Sequence, residues 1–237
     1  MHYNERTTSE HKLFHIHFWQ AQGLEEAPFH ESMVWKLNSL IGSTIFRLDP
    51  GDAVFIHHHH QAPGLPYTNR TFLPFWRQLA SNQGCRFFTF STVRDSVDRS
   101  VSQLLDMHHG ASFEELRNHA RIDQAVNNNF GLGYILVNMV WPNQMQINLG
   151  YDEQQVEMAL EELSGFDLVV DVSCHDYLLN RLADITGFHF ARMHSRHSWV
   201  QLPEEVDSDL RQYFSSVNHG EQAMTRRVKH LDNYIGC

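Results

Sequence analysis

Phe87-Phe88-Thr89-Phe90-Ser91-Thr92-Val93 runs without a break into Arg94-Asp95-Ser96-Val97-Asp98-Arg99-Ser100-Val101-Ser102-Gln103-Leu104-Leu105. The first seven residues are almost all apolar or β-branched, the pattern of a parallel strand covered on both faces. The period then changes, and Val97, Val101, Leu104 and Leu105 fall on one helical stripe. A strand that passes directly into an amphipathic helix is half of a βα unit, so Arg94 is expected at the carboxyl end of its strand. Open α/β sheets bind their ligands at that end.

Similar units are expected on either side. Lys12-Leu13-Phe14-His15-Ile16-His17 has the pattern of a short strand; an irregular Phe18-Trp19-Gln20-Ala21-Gln22-Gly23 and a helix from about Glu25 to Leu40 follow. The turn Asp49-Pro50-Gly51-Asp52 introduces a second strand, Ala53-Val54-Phe55-Ile56-His57. Further on, a helix over Asp152 to Leu163, a strand at Phe166-Asp167-Leu168-Val169-Val170 and a helix from Tyr177 to Ile185 ending at Thr186-Gly187 repeat the alternation. The expected class is α/β, with a central parallel sheet flanked by helices in one domain over residues 1–237.

The chain has 237 residues, 42 % of them hydrophobic, enough to bury a sizeable core. Charged residues are 19 % and the mean hydropathy is −0.42, without the run of about 18 apolar residues that a membrane helix needs. The polar start Met1-His2-Tyr3-Asn4-Glu5-Arg6 lacks the layout of a secretory signal, so a cytoplasmic protein is expected. The formal net charge of −10 opposes nucleic-acid binding, which needs a surplus of Lys and Arg. Cys85, Cys174 and Cys237 form no CxxC, so the sequence signals neither a disulfide framework nor a thiolate metal site, and a reducing compartment is expected.

His57-His58-His59-His60 closes the second strand. Adjacent strand residues face opposite ways, and no Cys, Asp or Glu completes a ligand set at the usual spacing, so no dedicated metal is expected. A general base or a solvated cluster are the other readings. Arg94 and Ser102, eight residues apart, flank one anionic group only if the intervening chain curls back, since a straight helix holds them about 12 Å apart. Alternatively, Arg94 pairs with Asp95 or Asp98.

The segment Arg94 to Ser102 resembles the R-[DE]-P-x-x-R-x-x-S segment of sulfotransferases that use 3′-phosphoadenosine 5′-phosphosulfate, closest to the carbohydrate branch related to heparan sulfate 2-O-sulfotransferase. Ser96 stands where that family has Pro. Asn143-Gln144-Met145-Gln146-Ile147-Asn148-Leu149-Gly150 and the helix, strand and helix after it follow the order of the same branch. The resemblance covers about residues 12–190 and leaves the C-terminal tail from Glu204, expected to be helical, outside it. It implies a three-layer P-loop-like α/β fold and transfer of a sulfuryl group to a hydroxyl of a carbohydrate or small-molecule acceptor. By position, Arg94 and Ser102 would hold the donor's 3′-phosphate. Gln22 and Gly23 would lie on its 5′ side, and His60 or, second, His58 would be the base.

The family's first loop, H-I-P-K-T-G-G-T-S, is only partly matched. His15-Ile16 and Gly23 keep register, but Phe18 stands at the Lys position. Lys12 lies at the wrong end of the strand, and Lys36 is about 15 Å along the following helix. Loss of one preorganised donor typically costs about 3 to 4 kcal/mol in the barrier. A non-catalytic binding or scaffold protein on the same fold is therefore the alternative.

Overall fold

Two short sets of paired strands organise the chain, and each belongs to its own compact unit. The structure is a computed structural model that describes residues 2–7, 11–19, 31–59, 68–123, 129, 132, 135, 153–190 and 202–237. The first unit comprises residues 1–88, 137–146 and 176–191; the second comprises 89–136, 147–175 and 192–237. The sequence, read by composition and linkers, carries no signal for this division.

In the first unit, β1 (His2–Thr7) pairs antiparallel with β2 (Lys12–Trp19), which pairs in parallel with β3 (Ala53–His59). The parallel pair needs a crossover, and α1 (Glu31–Ile45) lies between its two strands in the chain. This helix runs past the expected Leu40 because Ile41 and Ile45 prolong its apolar stripe; both are buried with Ile16 of β2. Pro50 and Gly51 then take the two central positions of a turn closed by Asp52 N donating to Asp49 O at 2.9 Å. Gly51 has φ +94°, a conformation that a side chain would strain. The Asp52 carboxylate accepts from Lys12 N at 2.8 Å and so ties this turn to the start of β2.

The first core is closed by α2 (Leu73–Asn82), which follows a π-helical turn at Thr68–Phe72 and has Pro74 in its first turn. Phe72 and Trp76 stack with centroids 5.4 Å apart, and Trp76 Nε1 donates to Asn38 Oδ1 at 2.6 Å. The helix α6 (His175–Thr186), in this unit from Asp176 onward, ends as expected at Gly187, whose φ is +75°.

In the second unit, β4 (Phe90–Val93), β5 (Leu168–Asp171) and β6 (Tyr234–Ile235) are all parallel, with β5 in the middle. Val169 and Val170 are fully buried, as expected of a central strand covered on both faces. Register is set at the start of the ladder: Asp167 accepts from Thr89 N at 2.7 Å and Thr89 Oγ1 at 2.8 Å. The helices are α3 (Ser96–Met107), α4 (Phe113–Ile122), α5 (Glu153–Ser164), α7 (Glu204–Val217) and α8 (His219–Arg227). Val101 and Leu104 of α3, Leu116 and Ala120 of α4, and Val206, Leu210 and Phe214 of α7 form one apolar cluster.

The α/β class and the parallel pairing agree with the sequence. The described strands form two three-stranded sheets, and within the first of them β1 is antiparallel. Cys174 is disulfide-bonded to Cys237, with Cα atoms 5.5 Å apart, although the sequence signalled no disulfide. A separation of 63 residues is not a motif, and only the parallel placement of β6 beside β5 brings the two sulfurs together. Among the described residues, no helix is long and apolar enough to cross a membrane.

Phe214 is fully buried, whereas Phe46 is 60 % exposed. Phe214→Ala is expected to destabilise the second unit by about 3 to 5 kcal/mol, and Phe46→Ala to change stability by about 0.5 kcal/mol or less, as read by urea titration.

Candidate functional site

Arg94 stands where the sequence placed it, immediately after β4 and before α3, and is half-buried. The next residue caps the helix: the Asp95 carboxylate accepts from Val97 N at 2.9 Å and Asp98 N at 3.1 Å. From Ser96 the helix is continuous to Met107, so the chain does not curl back, and Ser102 stays two turns along the axis. Helical spacing puts Ser102 on the side of α3 opposite the buried Ser96, Ser100 and Leu104. Ser96, at the position of the family's Pro, is fully buried, and its hydroxyl has no hydrogen-bond partner among the described residues.

The second arginine of the motif is committed elsewhere. Arg99 grips Glu221 of α8 with both arms, Nε to Oε1 at 2.5 Å and Nη2 to Oε2 at 2.9 Å, and its Nη1 donates to Gln103 at 2.6 Å. Glu221 is 2 % exposed. Around the pair the polar contacts link one to the next. Ser100 Oγ accepts from Arg99 Nη2 and from Asn218 Nδ2, at 3.1 and 3.0 Å. Asn218 Oδ1 accepts from Asn129 N at 3.0 Å, and Asn129 Oδ1 accepts from Glu221 N at 3.0 Å. Asn129 does this from the left-handed region, with φ 58°, which Asn tolerates better than most residues. No local signal in the sequence pointed to this network, whose two charges are 122 residues apart.

Two further polar groupings went unnoticed in the sequence. At the carboxyl end of β5, Asp171 accepts from Ser173 N at 2.8 Å, Ser173 Oγ at 2.7 Å and Tyr234 Oη at 3.3 Å, beside the Cys174–Cys237 bond. Burial pushes the Asp171 carboxyl up, but the Ser173 and Tyr234 hydrogen bonds and the Lys229 charge outweigh it and hold the group below its ordinary value. Where α3 gives way to α4, the His108 and His119 rings stack at 3.7 Å and 10°, and His108 Nε2 lies 3.0 Å from Asp123 Oδ2. Ser112-Phe113-Glu114-Glu115 carries the S-x-x-E signature of a capping box, and both of its reciprocal bonds are present.

The other predicted residues belong to the first unit. His58 lies in β3 with its backbone opposite Phe18, while His57 and His59 face His17 and Trp19 along the same ladder. Phe18 and Trp19 are thus paired strand residues, not the irregular segment expected after His17, because β2 follows β3 to its end. His60, Gln22 and Gly23 lie outside the described residues, as do residues 143–150. Comparisons with protein-family models, with curated proteins and with solved structures found no match to the chain.

Two outcomes follow from this geometry. Glu221→Ala strands the Arg99 guanidinium, and a loss of about 3 kcal/mol is expected by chemical denaturation. Arg99→Ala with Glu221→Ala should cost less than the two single losses added together. For Asp171, a depressed carboxylate stabilises the fold above its unfolded-state pKa of about 3.9, and that contribution is lost as pH falls through the lower folded value. Asp171→Asn should therefore lower Tm near pH 7 and flatten the fall in Tm from about pH 4 downward, as thermal melts across that range would show.

Proposed function

We propose that the chain is a sulfotransferase on a three-layer P-loop-like α/β fold, acting on 3′-phosphoadenosine 5′-phosphosulfate and a hydroxyl of a carbohydrate or small-molecule acceptor. The observation that supports this reading most is the position of Arg94. A guanidinium at the carboxyl end of a parallel strand, on the two-residue turn before a helix, is suited to bidentate contact with a phosphate. With α3 unbroken, Ser102 stays about 12 Å along the axis, so in this reading Arg94 meets the 3′-phosphate without Ser102. Asp95 already fills the first amides of α3, so the guanidinium carries the anion contact in this reading.

In the proposed reaction the acceptor oxygen attacks sulfur in line as the bond from sulfur to the 5′-phosphate oxygen breaks. His60 or His58 takes the acceptor's proton, and 3′-phosphoadenosine 5′-phosphate leaves with the bond's electron pair. A second reading, a non-catalytic protein that keeps the nucleotide pocket, is favoured by β2. The family's Lys position is held here by Phe18, a paired strand residue. A cytoplasmic location was the expectation, and the Cys174–Cys237 bond weighs against it, since such bonds persist in oxidising compartments.

Calorimetric titration with 3′-phosphoadenosine 5′-phosphate tests both readings. Saturable binding is expected, and Arg94→Ala should weaken it by about 2 kcal/mol. Absence of binding would remove both readings, and unchanged affinity in the variant would remove Arg94 from the site. Binding without transfer of labelled sulfate to any of a panel of glycans and alcohols would leave the second.

A further inference from the structure

A groove of about 430 Å³ runs between α4 and α7, lined by Arg117, Ala120, Arg121, Leu210, Tyr213 and Asp209 among others. Its floor is apolar, since Ala120 and Leu210 are almost fully buried in the second unit's core. Its size is that of a site for a small organic ligand. Arg117 and Arg121, four residues apart, share one face of α4, so both guanidiniums reach the same groove.

Arg117 donates to Asp209 through Nη2 at 2.8 Å, with the largely exposed Glu205 3.9 Å away, and its side chain remains 34 % exposed. Arg121 is exposed and makes no ion pair among the described residues. A guanidinium has five N–H donors, so both heads have donors to offer an anion in the groove.

From this lining we propose that the α4–α7 groove binds a ring-bearing monoanion, a carboxylate or sulfate ester on a flat ring. The anion's oxygens bridge the partly exposed Arg117 guanidinium and the head of Arg121, and the ring lies in the groove against Tyr213. Arginine heads and tyrosine rings both stack on flat ring faces, which a bare inorganic ion cannot exploit. The site does not depend on Arg94 or on the nucleotide reading.

The test is calorimetric titration of the full chain with 4-nitrophenyl sulfate and 4-nitrobenzoate, with inorganic sulfate and the uncharged 4-nitrobenzamide as comparisons. The two ring anions should bind saturably, and the inorganic ion or the uncharged ring alone should bind about tenfold more weakly. Arg121→Gln, which leaves the Arg117–Asp209 pair intact, should weaken the ring anions by about tenfold, while Arg94→Ala should leave them unchanged. No saturable binding, equal binding of inorganic sulfate, or an unaltered affinity in Arg121→Gln would each overturn the proposal. Loss in Arg94→Ala but not in Arg121→Gln would move the binding to the other site and overturn it too.

Discussion

A buried carboxylate and the half-buried guanidinium that grips it constrain everything packed around them. Arg99 and Glu221 join α3 to α8 by two parallel hydrogen bonds, and each remaining donor or acceptor of the pair must find a partner inside the protein. Gln103, Ser100, Asn218 and Asn129 supply those partners in a closed chain of contacts. A pair of this kind roughly balances its own desolvation, so its larger effect is on specificity: α8 meets α3 at one register, because a slip by one residue would leave several buried groups unpaired. Asn129 holds a left-handed backbone for the same reason, its side chain and its amide both serving the network.

This commitment bears on function. Of the two arginines in the segment Arg94 to Ser102, Arg99 is spent on the fold, and the nucleotide reading rests on Arg94 at the end of β4. The same segment buries a Ser96 hydroxyl without a partner among the described residues where the resembled family has Pro, which would need no such partner at the start of a helix. In the other unit, the continuation of β2 through Phe18 and Trp19 puts an aromatic residue in a sheet ladder where a donor-gripping loop would need a cation.

The parallel sheet of the second unit is held at both ends by acidic side chains. Asp167 ties the start of β5 to Thr89, and Asp171 ties its end to Ser173 and to Tyr234 of β6. The Cys174–Cys237 bond follows directly after that second tie. Three short strands that would be weak alone are thereby fixed in register by polar and covalent contacts, with Val169 and Val170 buried between them.

Much of this was legible one segment at a time. The strand ending at Val93, which was expected from Phe87 and begins only at Phe90, the helix stripe through Val101 and Leu104, the Pro50-Gly51 turn, the Gly187 stop and the helical tail from Glu204 all follow from contacts within about four residues, where period and backbone preference suffice. Arg94's place at a strand end followed from the same local change of period. What the sequence left undetermined involves partners far apart along the chain. The assignment of strands to two sheets, the bond between Cys174 and Cys237, the partner of Arg99 and the groove that gathers Arg117, Arg121 and Tyr213 depend on how helices and strands dock. Docking is decided by burial and by satisfying polar groups in three dimensions, and residue order alone does not encode which distant group will be the one in reach.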